Sequence, residues 1–146
     1  MSAGWRHRPS VIRRSRSFSK IMLRRSTQQL MAFLGLVPSE RTNGDTVRRG
    51  SITKTGNHRA RRVLIEGAWT YRFSARVGET LRGRLKDLRL NIRSIAWKAQ
   101  VRLCARYRRL IANGKKTPVA TTAIARELAA FLWAIGQQVT PLKPAT

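Results

Sequence analysis

Cysteine and histidine are scarce in this sequence. Its 146 residues include one cysteine, Cys104, and two histidines, His7 and His58. A single thiol excludes a disulfide framework and a thiolate metal cluster within the chain, and it favours a reducing compartment. Two histidines so far apart predict no metal site, so we expect each of them at the surface or against a phosphate.

Acidic residues are also few, and the imbalance of charge is large. Six Asp and Glu stand against 31 Lys and Arg, which gives a net charge of +25 and a pI near 12.0. The acids are Glu40, Asp45, Glu66, Glu79, Asp87 and Glu127. Metal-dependent strand transfer needs clustered carboxylates to hold two divalent ions, and these are scattered among arginines. We therefore predict no metal site and no cofactor in this chain.

The excess of positive charge indicates a polyanionic partner. A self-repelling chain is tolerated most easily beside a polyanion, and nucleic acid is the expected one. The alternatives are an anionic membrane surface and a basic surface that is merely solvated. No apolar run approaches the roughly 18 residues that a spanning helix needs, so we expect a soluble, cytoplasmic protein with no membrane partner.

The apolar pattern predicts a mainly α-helical fold. Hydrophobic residues make up 42% of the chain, enough for one modest core at this length. We expect a short apolar helix ending near Gly35, an amphipathic helix from Asn57 to Arg76 with Asn57 as N-cap, and a helix from Ile92 to Ile111. A nearly charge-free helix from Pro118 to Gln138 should lie at the centre. The expected organisation is a disordered basic arm over residues 1–26, a small helical domain over 27–139 and a flexible tail over 140–146.

Between the first two helices the sequence predicts a Gly-rich basic loop or hairpin. Glycines there would let backbone N–H groups approach a phosphodiester, and basic side chains would supply charge. A second cationic row should follow one face of the helix from Ile92 to Ile111. For Trp97, Tyr107 and Trp133 we expect core packing. The predicted nucleic-acid-binding residues are Arg48, Arg49, Lys54, Asn57, His58, Arg59, Arg61, Arg62, Lys98, Arg102, Arg106 and Arg109. Residues 76–90 are expected to form a flexible connection with one helical turn.

Four stretches carry a resemblance to a known family. Residues 35–40 read Gly-Leu-Val-Pro-Ser-Glu, and residues 50–57 read Gly-Ser-Ile-Thr-Lys-Thr-Gly-Asn before Arg61 and Arg62. The runs over residues 95–109 and 122–133 add to these. Together they resemble the C-terminal domain of the insertion-sequence one-ten, one-sixteen and nine-hundred-two family of transposases, over roughly Gln28 to Val139.

The resemblance implies DNA transposition by two cooperating domains. Family members carry an N-terminal RuvC-like domain with four acidic metal ligands, where Mg is expected, and nothing in this chain matches it. Their C-terminal domain supplies a nucleophilic serine shortly after the Val-Pro-Ser-Glu segment. That position is occupied here by Asn43, whose amide oxygen is a poor nucleophile. Thr42, Ser39 and Ser51 are weaker candidates; Ser39 is expected to begin the turn after Pro38, and Ser51 to bond backbone.

The expected function is therefore that of the DNA-binding C-terminal domain of a transposase or recombinase, in a truncated and catalytically incomplete copy. DNA is the expected partner, with a guide RNA, a second copy of the chain or an intact transposase as further ones, at the bacterial nucleoid. The alternative is a non-catalytic structural RNA-binding protein, and a third is a complete small recombinase. The arm also has the Arg- and Ser-rich, acid-poor composition of an organellar transit peptide.

Overall fold

The computed structural model describes residues 26–43 and 46–139, and within these it leaves the side chains of residues 41–49 undescribed. The expected tail and all but the last residue of the expected arm lie outside this range. The elements are α1 (Thr27–Leu34), β1 (Pro38–Asn43), β2 (Thr46–Ile52), α2 (His58–Trp69), a 3-10 turn (Thr70–Arg72), α3 (Glu79–Leu85), α4 (Leu90–Ala112) and α5 (Thr117–Val139). The mainly helical fold class is confirmed.

The first helix is short and is closed at both ends by local sequence. Ser26 caps its N-terminus, because the hydroxyl accepts from the Gln29 backbone N–H at 3.2 Å. Gly35 ends it with a φ of 64°, and the N–H groups of Gly35 and Leu36 bond back to the carbonyls of Ala32 and Met31. The predicted end of this helix is confirmed.

The segment after α1 is an antiparallel hairpin and not an irregular loop. β1 pairs with β2 from Pro38 opposite Ile52 to Asn43 opposite Thr46. The register shifts near the open end, where two residues of β2, Gly50 and Ser51, face one residue of β1. The hairpin alternative of the predicted Gly-rich loop or hairpin is therefore confirmed, and pairing of the two strands fixes the backbone over most of the segment.

The second helix begins where predicted and ends earlier. The Asn57 side chain accepts from the Ala60 N–H at 3.1 Å, which confirms the N-cap. Helix α2 stops at Trp69 and passes into the 3-10 turn, so the predicted end at Arg76 was wrong. The Thr70 hydroxyl donates to the Gly67 carbonyl at 2.7 Å and satisfies one of the carbonyls left open at the helix end.

The connection between α2 and α4 is more ordered than predicted. It contains α3, a seven-residue helix in place of the expected single turn. Of its residues only Leu85 is partly covered, and the others are exposed. This short helix therefore contributes little to the core.

Helix α5 is the centre of the described structure, as predicted. α1, α2 and α4 all pack on it. Its small residues Ala120, Ala125 and Ala129 are buried and allow the other helices a close approach. One core cluster joins α2, α4 and α5, and a second joins α1 and Leu36 to α5 through Ala129. The two clusters share Leu64 and Ile65 of α2 at their edges, so they form a continuous interior.

This central position also explains the composition of α5. With a mean hydropathy of 1.3 over its most apolar window, α5 is long and apolar enough to cross a membrane. The sequence interpretation that no run approaches this length was wrong, because alanines spread among the larger apolar residues raise the mean hydropathy without forming an obvious apolar block. The packing of three helices on α5 gives the apolar residues a core to enter, and one such helix is weak evidence for a membrane span.

Candidate nucleic-acid interface

The junction between α1 and the segment from Thr53 to Asn57 is held by backbone hydrogen bonds. The N–H of Thr53 donates to the Val37 carbonyl at 2.9 Å, and that of Lys54 to the Gly35 carbonyl at 3.1 Å. The N–H of Asn57 donates to the Phe33 carbonyl at 2.9 Å. Three amides of the Ile-Thr-Lys-Thr-Gly-Asn motif thus serve the fold, so they do not present an open set of donors to a phosphate.

Two glycines let these segments approach. A Cβ on Gly35 would lie 2.1 Å from the Thr55 carbonyl oxygen, and one on Gly56 would lie 2.2 Å from that of Phe33. Gly56 has a φ of 114°, which residues with a side chain rarely adopt, and Lys54, two residues before it, has a φ of 57°. The close backbone contacts therefore require these two glycines, whether or not a ligand binds there.

The arginines at the start of α2 differ in their surroundings. Arg61 is partly buried, and its Nη1 donates to the Leu34 carbonyl at 2.9 Å, where the last turn of α1 leaves carbonyls open. The Arg62 guanidinium is exposed and pairs with Glu66 at 2.8 Å. His58 and Arg59 are exposed. Arg61 thus acts as a clamp between α1 and α2, whereas the other three side chains face solvent.

The predicted hairpin residues are placed by backbone alone. Arg48 lies opposite Arg41, and Arg49 opposite Glu40. Their side chains, and those of Thr42 and Asn43, lie outside the described set, so the phosphate-binding and nucleophile positions assigned to them stay predictions. Asn43 is the last residue of β1 and lies opposite Thr46 of β2.

Ser39 is occupied by a structural role. Its hydroxyl donates to the Ser51 carbonyl at 2.9 Å, at the place where the strand register shifts. A Cβ on Gly50 would lie only 2.5 Å from the Ser39 hydroxyl oxygen. The hydroxyl thereby supports the irregular pairing, and Ser39 lies within a strand and does not begin a turn after Pro38 as the sequence suggested.

The cationic row on α4 divides into two kinds of residue. Lys98 and Arg109 are exposed. Arg102 and Arg106 both pair with Glu127 of α5, the latter at 3.1 Å. Glu127 is the better covered partner, with 16% of its side chain exposed. Two of the four predicted phosphate contacts therefore also join α4 to α5.

These two arginines line an open groove between α1, α4 and α5. Arg126 of α5, which the sequence interpretation did not select, is a third cation in it. The groove is lined by Met31, Arg102, Arg106, Ala123, Arg126, Glu127, Ala130, Phe131 and Ala134. With three guanidinium groups against one carboxylate, it has a net positive charge over a floor of small apolar side chains.

Aromatic side chains are arranged differently from the prediction. Tyr107 is buried and Trp133 packs against the second core cluster, as expected. Trp97 is exposed, so the prediction that it packs in the core was wrong. Trp69 and Phe73, which the sequence interpretation did not select, are exposed, and the Arg72 guanidinium lies over both rings at 4.3 and 4.2 Å from their centroids.

Beneath the 3-10 turn, Tyr71 approaches the buried thiol of Cys104. Burial raises the pKa of each group above its ordinary value, since both would have to become anions away from water. Arg108 acts in the opposite direction on the pKa of Cys104. Both groups are therefore neutral at physiological pH.

Metal-binding groups are not brought together by the fold in the described part of the chain. Within residues 26–43 and 46–139, no group of three His, Cys, Asp or Glu side chains could hold a metal ion. Glu66 and Glu127 each bond arginine instead. The described residues provide no ligand group for the Mg ions that the resemblance implies for another domain.

Comparison with known proteins gives two matches. The model of the Transposase IS116/IS110/IS902 family matches residues 17–82. This match begins upstream of Gln28, so the family segment extends further into the basic arm than the motifs indicated. A protein named Putative transposase y4qE, from Sinorhizobium fredii (strain NBRC 101917 / NGR234), is 55% identical over 113 residues. That alignment covers 77% of this chain and 29% of the other protein. No solved structure matches the chain.

Proposed function

From the match of residues 17–82 to the model of the Transposase IS116/IS110/IS902 family, we propose that this chain is the DNA-binding C-terminal part of an insertion-sequence transposase. A transposase-related role follows from the family segment and from the 55% identical relative. The finer assignment is DNA binding by this part of a transposase. It is supported by the net charge of +25 and by the small number of acidic residues. Since the chain spans 29% of that relative, transposition as a whole is a proposal for a larger assembly.

The surface that supports DNA binding lies on α2 and α4. Arg59 and Arg62 on α2, with Lys98 and Arg109 on α4, are exposed and on long helices that the core holds in place. Guanidinium and ammonium groups at helical spacing can follow a phosphate backbone without reading its sequence. We expect tight, salt-sensitive and weakly sequence-selective binding.

A salt titration tests this proposal. If six to eight phosphates are neutralised, the logarithm of the affinity for duplex DNA should fall against the logarithm of salt concentration with a slope of roughly −5 to −7. Lys98→Gln with Arg109→Gln should reduce the slope by about 2. The control variant is Arg82→Gln with Arg84→Gln on α3, which has the same change of charge. A slope near zero, or a preference of several orders of magnitude for structured RNA, would contradict DNA binding.

For the chemical step, we propose that this chain alone is not a catalyst. The position at which the family is expected to carry its nucleophilic serine is occupied here by Asn43. The Ser39 hydroxyl already donates a hydrogen bond to the Ser51 backbone carbonyl. No covalent adduct with element-end DNA should therefore survive denaturing electrophoresis. Asn43→Ser should restore an adduct only when a complete partner transposase is present. A denaturant-resistant adduct from the unchanged chain, lost in Ser39→Ala or Ser51→Ala but kept in Asn43→Ala, would overturn this part of the proposal.

The proposed setting is the bacterial cytoplasm, at the nucleoid. The proposed further partners are a guide RNA, a second copy of the chain and an intact transposase. Competition by RNA in the same titration, together with the mass of the complex in solution, would distinguish among them.

A further inference from the structure

The 3-10 turn after α2 presents flat side chains to solvent. Trp69 is 39% exposed and Phe73 is 57% exposed, and the Arg72 guanidinium lies between them against both rings. We call Trp69, Arg72 and Phe73 the aromatic–arginine platform. Aromatic side chains that lie together at an exposed surface offer apolar area that a ligand can cover.

The platform is held in place by the fold. Tyr71, in the middle of the turn, packs against the core cluster of α2, α4 and α5. The Trp69 ring meets the buried Tyr107 ring edge-on, with centroids 6.4 Å apart and planes at 82°. The backbone of the turn is closed by the Phe73 N–H, which donates to the Thr70 carbonyl at 3.3 Å. Because these contacts order the side chains beforehand, a ligand would lose less entropy on binding there.

The chemistry of the platform selects a nucleobase. Aromatic rings and guanidinium planes are the surfaces on which bases stack, and a cation beside them attracts the phosphate that each base carries. An acidic peptide would use the charge of Arg72 but not the two ring faces. One cation that can hold the strand is near in the chain, since the exposed Arg76 lies three residues beyond Phe73. The exposed Arg108 directly follows Tyr107, whose ring contacts Trp69.

We propose that the aromatic–arginine platform binds an unpaired nucleotide of a nucleic-acid strand by stacking. In a duplex, bases are stacked on each other and offer only their edges, so only a single-stranded or extruded base can reach the platform. This inference rests on the proposed function, because it assumes that the chain binds nucleic acid. It adds that at least one base of the bound strand is unpaired where the strand meets Trp69 and Phe73.

The test compares three probes of the same length at one salt concentration by anisotropy: a single-stranded DNA, the same strand with abasic sites, and the duplex. The wild-type chain should bind the intact strand about tenfold more tightly than the abasic strand. Phe73→Leu keeps apolar volume, and Arg72→Lys keeps charge. Each should lower the affinity for the intact strand toward that of the abasic strand, and leave duplex affinity and its salt slope unchanged.

Trp97→Ala is the matched control, since it removes another exposed tryptophan from the surface. It should bind all three probes as the wild type does, and thermal melts should show that every variant is folded. Equal affinity of the wild type for intact and abasic strands, or wild-type binding by Phe73→Leu and Arg72→Lys, would overturn the platform while salt-sensitive DNA binding persisted. Failure of the wild type to bind any probe would overturn the proposed function as well.

Discussion

Single residues of the Gly-Leu-Val-Pro-Ser-Glu and Thr-Gly-Asn motifs have structural roles at the junction between α1 and α2. Gly35 and Gly56 allow the end of α1 and the start of α2 to touch at backbone distance. The carbonyl of Phe33 then receives the Asn57 N–H, and the side chain of Asn57 caps α2. The motif that suggested phosphate binding therefore forms the joint between α1 and α2.

Gly56→Ala should destabilise this joint strongly. The new Cβ would meet the Phe33 carbonyl at 2.2 Å, and a φ of 114° is strained for alanine. We expect a loss of roughly 2 kcal/mol or more in the free energy of unfolding. Gly67→Ala is the matched control: it lies within α2 with open space around its Cβ, so it should stabilise by about 0.5–1 kcal/mol. Denaturant melts measure both, and equal effects would contradict the close approach.

Arg61 gives a second prediction at this scale, because its guanidinium bonds the open carbonyl of Leu34. Arg61→Gln should cost about 1–3 kcal/mol of stability through loss of a charge-assisted, partly buried hydrogen bond. Arg59→Gln, at an exposed position of the same helix, removes the same charge and should leave the melt unchanged. If the two variants melted alike and Arg61→Gln lost more DNA affinity, Arg61 would be a phosphate contact and not a clamp.

At the scale of elements, the helices could be predicted from the sequence because their signals are local. Gly35 and Asn57 mark a helix end and a helix start by themselves. The segment between α1 and α2 was predicted only as a loop or hairpin, since its strands are polar and carry no alternating apolar pattern that would fix their pairing and register. The groove with Arg126 and the platform at Trp69 were missed for a related reason: tertiary packing decides which side of a helix faces solvent.

The contact between α4 and α5 depends on Glu127, which accepts a hydrogen bond from Arg102 and forms an ion pair with Arg106. Glu127→Gln should lower the melting temperature by roughly 4 °C, because two guanidinium groups lose a covered carboxylate. Glu79→Gln is the control, since its pair with Arg82 at 3.6 Å is exposed and should contribute little. Both changes raise the net charge equally. A greater gain in DNA affinity for Glu127→Gln would show that the released arginines reach phosphate, and equal melting temperatures would contradict the structural role.

For the whole molecule, the division between core and charge determines what can be removed. Both hydrophobic clusters lie between Leu30 and Trp133 and centre on α5. Residues 1–25, which lie outside the described range, carry eight of the 31 Lys and Arg. Folding should therefore depend on the helices, whereas affinity for DNA should depend on both parts.

Deleting residues 1–25 should leave a cooperative thermal melt and weaken DNA binding, with a shallower dependence on salt because fewer counterions are displaced. Ile124→Ala should do the reverse. Its side chain is fully buried on α5, so truncation should cost about 2–5 kcal/mol of stability, while binding well below the melting temperature should keep its salt slope. Calorimetry and anisotropy on the two variants separate these effects. Collapse of the melt on deletion would show that residues 1–25 contribute to the core, and an unchanged salt slope would show that their eight cations do not contact the DNA.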